Sequence, residues 1–467
     1  MITIEDAPLY QAYRSSSASS GPKDRFFIDL VLPALAFGSI GAITYAIRGT
    51  GGWGGFDGGI IPGMAWAWLW YYMMRRKGLD ARGIVLWLGL GIAAGAMLGY
   101  GQYASWVTGS SGPGSIDTID PWLGYAWFFI AGVGFSPGGV LLGWALGSTR
   151  LSAKTWLARL LVPAGFALLG WVLTLAMPAI FFPGISRCGQ AGYDAYCERM
   201  VSTNTTNFAF LMWWVGALVV SLLERDKATL ACGLIVGIGF GLAQALGGAV
   251  YSLWMLAPDF MDWWKAWELT TGFIGGVSCA LALYWVQRHV DKITASDGHV
   301  IEDEGAVLLA ENGTKAADGH RGAAVVTSLL ALLSLLLVAW YGSTYYLGID
   351  LSLYTEVDIA QNDFLPARIV LITIGTVTIL AGFTWRLARH VKNKKAGIQM
   401  QLKARDLYRY LIYLVLYLFI IGIYTIWEMR IAMLYAVHFG IALIVLDRID
   451  EHAGSFQRGT GALGTSG

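Results

Sequence analysis

The chain is 467 residues long, 56% hydrophobic and only 13% charged, with a formal net charge of +1. A soluble globular protein carries about twice that share of charge, so the composition excludes an ordinary soluble domain and favours the membrane class. A net charge near zero argues neither for nor against nucleic acid, and none is expected as a partner.

The first stretch, Met1 to Gly21, is polar and Ser-rich. It lacks the basic start, short apolar run and small-residue cleavage site of a secretory signal. Apolar stretches of about 18 to 25 residues then recur, long enough to cross a bilayer. They lie near 26–47, 58–74, 83–107, 122–146, 158–182, 206–223, 229–255, 264–286, 322–346, 366–386, 407–426 and 430–447. The expected fold is therefore an all-α polytopic membrane protein of about 12 transmembrane helices.

Between the first two spans, Arg48-Gly49-Thr50-Gly51-Gly52-Trp53-Gly54-Gly55-Phe56-Asp57-Gly58-Gly59 concentrates glycine beside an arginine and an aspartate. Each glycine costs about 1 kcal/mol against alanine in a helix, so a backbone break is expected here. Open backbone next to a cation is a way to cradle an anionic or hydroxylated group; a tight interhelical turn is the plainer reading. Trp66, Trp68 and Trp70 follow in the second span, where some are expected to offer a ring face to a bound solute.

With the N-terminus inside, Arg75, Arg76, Lys77, Arg150, Lys154, Arg225 and Lys227 fall in cytoplasmic connections, as does the dense basic run from Arg386 to Arg409. The outer side receives only Arg48, Arg187, Arg199, Lys265, Arg368 and Arg430, which satisfies the positive-inside rule. The predicted outer loop between the fifth and sixth spans carries Cys188 and Cys197, a candidate disulfide in an oxidising compartment. The same loop carries Asn204-Thr205-Thr206, a glycosylation acceptor pattern.

An internal repeat is visible when spans are compared pairwise, each pair of spans matching at one offset of its own. Leu98-Gly99, Tyr103 and Trp106 match Leu246-Gly247, Tyr251 and Trp254, while Ala126-Trp127 and Gly132 match Ala266-Trp267 and Gly272. Two parallel four-helix repeats are expected, followed by a C-terminal four-helix unit. The resulting layout is a cytoplasmic tail at 1–24, repeats at 25–147 and 155–287, a cytoplasmic loop at 288–321, a C-terminal unit at 322–447 and a cytoplasmic tail at 448–467. Phe128 in the first repeat corresponds to Glu268 in the second, so the polar groups are asymmetric.

Charge in hydrocarbon is costly and normally faces a cavity or a partner. Arg48, Asp57, Gln102 and Glu268 fall near the outer ends of their spans, whereas Gln244 and His438 lie deeper. The candidate substrate-binding residues are Arg48, Thr50, Gly51, Gly52, Trp53, Asp57, Gln102, Gln244 and Glu268; Asp57, Glu268 and His438 are the candidates for proton coupling. Tryptophans 106, 122, 127, 254, 263, 264 and 267 lie toward outer ends, where an aromatic belt is expected. Gly89, Gly91, Gly95, Gly99 and Gly101, with Gly233, Gly237, Gly239 and Gly241, read as faces for close helix packing.

No phosphate-binding loop, His-Glu-x-x-His or Gly-x-Ser-x-Gly element occurs, and neither a cofactor nor a metal is expected. The leading expectation is a secondary transporter for a small polar organic solute, a sugar or an organic anion. The alternatives are an intramembrane glycosyl or acyl transferase and a non-catalytic subunit of a membrane complex. Expected partners are membrane lipid, the solute, and either a second copy or a larger complex. The expected location is a bacterial inner membrane with both termini cytoplasmic.

Overall fold

The computed structural model describes residues 26–50, 56–76, 84–96, 99–110, 118–147, 152–189 and 194–296, with scattered residues between 434 and 449. Among these the chain is helical apart from turns and one isolated β-bridge between Ser110 and Thr118. After a π-helical turn, Phe27–Val31, the helices are α1 (Leu32–Thr50), α2 (Phe56–Arg76), α3 (Ile84–Gly95), α4 (Gly101–Val107), α5 (Pro121–Val133), α6 (Ser136–Gly147), α7 (Ala153–Ala176), α8 (Asp194–Leu223), α9 (Lys227–Ser252) and α10 (Trp263–Ser296). Six stretches are long and apolar enough to cross a membrane: Phe27–Ala46, Pro121–Leu146, Ala153–Ala176, Cys197–Leu223, Lys227–Met255 and Trp263–His289. They make this a multi-pass integral membrane fold. The predicted ninth to eleventh spans lie outside the described residues.

Two predicted spans are interrupted. The stretch 83–107 divides into α3 and α4 around Ala96–Tyr100, and 122–146 divides into α5 and α6 at Gly134–Phe135. At about 1.5 Å per residue, neither α3 nor α4 alone could cross a hydrocarbon core of about 30 Å. The interruptions touch. A side chain on Gly95 would collide with the Gly134 carbonyl and Phe135, and one on Gly91 with Gly138.

The glycine-rich stretch is shorter as a break than its composition predicts. Helix α1 continues through Arg48 and Gly49 to Thr50, and α2 begins at Phe56, so Asp57, Gly58 and Gly59 are helical. Tertiary packing offsets the propensity cost: a Cβ on Gly59 would collide with that of Ala96, and one on Gly63 would press on the Gly89 carbonyl. These glycines let α2 and α3 meet backbone to backbone, where lipid gives helices little hydrophobic reason to associate.

Helix α9 is the centre of the bundle, in contact with α5, α6, α8 and α10. Its glycines take the neighbouring side chains: Gly237 lies under Trp214, Gly239 under Ser278 and Gly248 under Phe128. Helices α1 and α10 run antiparallel in register, Gly41 against Gly272 and Phe37 against Gly276. That register brings the last turn of α1 level with the first turns of α10.

Several tryptophans read as belt or solute-facing residues are structural instead. Trp66 and Trp70 are fully buried; their indoles donate to the carbonyls of Phe37 (3.0 Å) and Cys279 (3.1 Å), tying α2 to α1 and α10. Trp68, only half-buried, stands edge-on to Tyr71. Trp106, Trp127, Trp263 and Trp267 are buried as well, whereas Trp122 and Trp254 are exposed as a belt requires. Sequence patterning cannot separate these cases, because a tryptophan near a helix end serves either surface equally well.

At one end, Arg159 of α7 is buried between Glu224 (Nε to Oε2, 2.9 Å) and Asp226 (Nη2 to Oδ2, 2.8 Å), in the connection from α8 to α9. Asp226 also caps α9 by accepting from the Thr229 amide at 3.0 Å. At the opposite end, Cys188 and Cys197 form a disulfide. Asn204 is not in a loop: it lies inside α8, fully buried, and donates to the Phe181 carbonyl at 2.7 Å. A glycan cannot be attached to it in this fold.

The two proposed repeats differ in construction. The third and fourth spans of the first are broken, their counterparts α9 and α10 are continuous, and Trp106 is buried where Trp254 is 47% exposed. The α1–α10 register gives a direct test of the packing. Gly272→Leu drives a side chain into the Gly41 carbonyl, and overpacking typically costs about 1–3 kcal/mol. Purified Gly272→Leu protein is expected to melt at a clearly lower temperature in detergent than wild type, with Gly272→Ala intermediate.

Candidate functional site

The interruption between α3 and α4 leaves backbone groups that must find partners without bulk water. Asn207 of α8 supplies one: its Nδ2 donates to the Gly99 carbonyl at 2.8 Å and to the Tyr103 hydroxyl at 2.9 Å. Tyr103 in turn donates to Asn204 Oδ1 at 2.9 Å, and Gln102 Nε2 approaches the same oxygen at 3.5 Å. A second chain starts one turn earlier. The Tyr100 hydroxyl lies 3.5 Å from that of Tyr45 on α1, which accepts from Gln244 Nε2 of α9 at 2.7 Å.

Aromatic rings wall this polar cluster. Tyr100 meets Trp267 edge-on at 5.3 Å, Trp264 meets Trp267 at 4.9 Å, and Phe128 lies 5.4 Å from Trp267 and 5.8 Å from Tyr103. Trp127 stacks on Tyr103 at 5.8 Å. Side chains from α1, α4, α5, α8, α9 and α10 thus converge on one short interruption, in the half of the bundle that carries the disulfide.

The cluster is under-satisfied. Gln102 Oε1, Asn207 Oδ1, Gln244 Oε1 and Trp267 Nε1 are all closed to solvent and have no hydrogen-bond partner. A buried polar group left unmade costs about 1–3 kcal/mol, and most native buried polar atoms are paired. Four of the eight such atoms among the described residues gather in this neighbourhood, which makes it the candidate site.

The buried carboxylate at the site is already engaged. Glu268, 3% exposed, accepts from Lys265 Nζ at 2.6 Å and from Trp264 Nε1 at 3.1 Å. Arg199 reaches the rim, its guanidinium lying where a side chain on Gly101 would sit.

Of the residues expected to bind solute, the structure brings Gln102, Gln244 and Glu268 to this cluster. Arg48 and Thr50 lie in the last turn of α1 and Asp57 in the first turn of α2, while Gly51, Gly52 and Trp53 fall outside the described residues. His438 stands elsewhere, its ring 5.5 Å from Phe273 and its Nδ1 unpartnered. Tyr45, Tyr100, Tyr103, Asn204, Asn207 and Trp267 were not expected. Asn204 was hidden in a glycosylation pattern and Asn207 directly follows it, though their i, i+3 spacing on an apolar helix places both on one face. Among the described residues no group of acidic, histidine and cysteine side chains could hold a metal.

A separate groove of about 460 Å3, lined by Ala94, Pro137, Leu141, Ala167, Trp171, Thr206, Ala209, Phe210 and Trp213, presents a single hydroxyl. Its lining suits hydrocarbon rather than a polar solute.

No protein-family model, curated protein or solved structure matches this chain.

Tyr103 is the hinge of the polar chain, so Tyr103→Phe isolates its partners. Removing the hydroxyl leaves Asn204 and Asn207 with lost contacts, a cost of about 1–3 kcal/mol. The expected result is a lower melting temperature in detergent with the helical circular dichroism signal retained.

Proposed function

We propose that the protein is a secondary transporter for a small polar organic solute, bound at the α3–α4 interruption among Gln102, Asn207, Gln244 and Trp267. The observation that carries this reading is the set of four unpartnered buried polar atoms around a broken helix. Discontinuous helices near mid-membrane are where many transporters bind their substrates. Irregular backbone is tolerated at that depth only where it is buried in protein or lines a cavity.

Because all four atoms are sealed from solvent, the structure corresponds to a closed arrangement of the site. Opening toward either side would give these groups water or solute in exchange, which lowers the cost of moving between states. Arg48 and Asp57, at the adjoining ends of α1 and α2, are proposed as rim groups, and Glu268 as the residue that holds Trp264 and Lys265 in place. An intramembrane transferase would need a carboxylate free to take a proton, whereas Glu268 is engaged by Lys265 and Trp264.

The disulfide end is assigned to the oxidising side of the membrane, which leaves the Arg159 cluster on the cytoplasmic side, consistent with the basic bias of the connections. A bacterial inner membrane fits that assignment. In intact cells, Cys188 and Cys197 are expected to react with an impermeant maleimide after mild reduction. Labelling only after the membrane is broken would reverse the orientation.

Transport itself is tested with the purified protein in proteoliposomes, using radiolabelled neutral, anionic and cationic metabolites. Uptake of at least one is expected, reduced tenfold or more by Gln244→Leu and by Asn207→Leu in protein that still elutes as a single folded species. Arg48→Lys and Asp57→Asn are expected to weaken it less. Chemical conversion of a solute without net uptake would overturn the transporter reading.

A further inference from the structure

Resting on the site just described, we infer that its solute is an uncharged, hydroxyl-rich ring or chain, of the sugar and polyol class, and not an organic anion or cation. Three of the four unpartnered atoms are amide oxygens, Gln102 Oε1, Asn207 Oδ1 and Gln244 Oε1; the fourth, Trp267 Nε1, is a donor. Three unpaired acceptor oxygens in one cluster disfavour a carboxylate or a phosphate. A cation needs net negative charge when it is removed from water, and the one carboxylate described at the site is held by Lys265 and Trp264.

Hydroxyl groups satisfy what remains. Each can donate to an amide oxygen and accept from an indole N–H, so a single molecule with several hydroxyls can pair all four atoms. The groups fall into two sets on neighbouring turns. Gln102 and Asn207 are tied to Tyr103 through Asn204 and directly, whereas Gln244 and Trp267 are tied to Tyr100 through Tyr45 and by ring contact. That separation asks for hydroxyls at both ends of the solute, not one polar head on an apolar body.

The walls point the same way. Tyr100, Phe128 and Trp267 pack against one another beside the unpartnered atoms, and the negative quadrupole of an aromatic face attracts the weakly positive C–H face of a polyol ring. Discrimination is expected to be strong, because a site that must pair buried polar groups rejects an analogue lacking the matching hydroxyls.

The test uses the full-length protein in detergent, with binding read by thermal shift and tryptophan fluorescence. The neutral probes are D-glucose, D-mannitol and myo-inositol; D-glucuronate and D-glucosamine serve as charged versions of one sugar skeleton. At least one neutral probe is expected to bind, at least tenfold tighter than either charged one. Gln244→Met should weaken that binding tenfold or more, while Leu246→Ala, on the exposed face of α9, should leave it within twofold. Gln244→Glu keeps the shape and adds a negative charge, so it should move the preference toward D-glucosamine by at least tenfold.

Absence of binding by all three neutral probes overturns the inference. So does tighter binding of D-glucuronate or D-glucosamine by the wild type, or unchanged binding in Gln244→Met. The transporter reading fails separately: binding of a neutral probe without uptake into proteoliposomes would leave the solute class standing and remove transport. Uptake of a charged metabolite only would do the reverse.

Discussion

Polar groups at membrane depth cannot be left to water, and this constraint shapes the disulfide half of the molecule. Where the predicted third span divides into α3 and α4, the Gly99 carbonyl takes an amide from α8. Satisfying that one group requires Asn207, which requires Tyr103 in reach, which requires Asn204 to receive the tyrosine proton. Asn204 then spends its own amide on the Phe181 carbonyl beyond the end of α7. A single interruption thereby fixes how α4, α8 and the α7 terminus meet. The network closes on every member except the buried amide oxygens of Gln102 and Asn207.

The rest of the bundle solves a different problem, that of associating helices in a solvent as apolar as their side chains. Glycine pairs bring α1 against α10 and α2 against α3 at backbone distance, where dispersion contacts are densest. Indole donors add directional ties: Trp66 to α1, Trp70 to α10, and Trp214 to the Gly233 carbonyl of α9 at 2.9 Å. Each of these reaches a carbonyl already bonded within its helix, using its second lone pair. Among the described residues, more tryptophans are buried inside the bundle than exposed as a belt would be.

What the sequence made legible follows from which signals are local. Helix existence was readable for α1, α2 and α7 to α10, because a long apolar run has one solution in a bilayer. The breaks were not. Gly89 to Gly101 carries the spacing of a packing face, and most of it is one; only its last part is an interruption, decided by Asn207 more than a hundred positions away. The reverse error occurred at 48–59, where local glycine cost predicted a long break and packing of Gly59 on Ala96 recovered much of it as helix. Gln102, Gln244 and Glu268 were recognisable as polar residues out of place. Their tyrosine and asparagine partners were not, because Tyr45 and Tyr100 look like ordinary span residues until the fold brings their hydroxyls together beside Gln244.

The two ends of the bundle differ in how their polar groups are satisfied. Arg159 is locked between two carboxylates, one of which also caps α9, and its guanidinium lies 5.8 Å from the Trp144 ring. Separating that cluster would strand buried charge, a penalty of about 3–5 kcal/mol when one partner of a buried pair is lost. The disulfide end combines one ion pair, Lys265 with Glu268, with neutral amides and an indole that lack partners. Hydrating those neutral groups is favourable, whereas parting Arg159 from Glu224 and Asp226 must first supply new partners for its guanidinium.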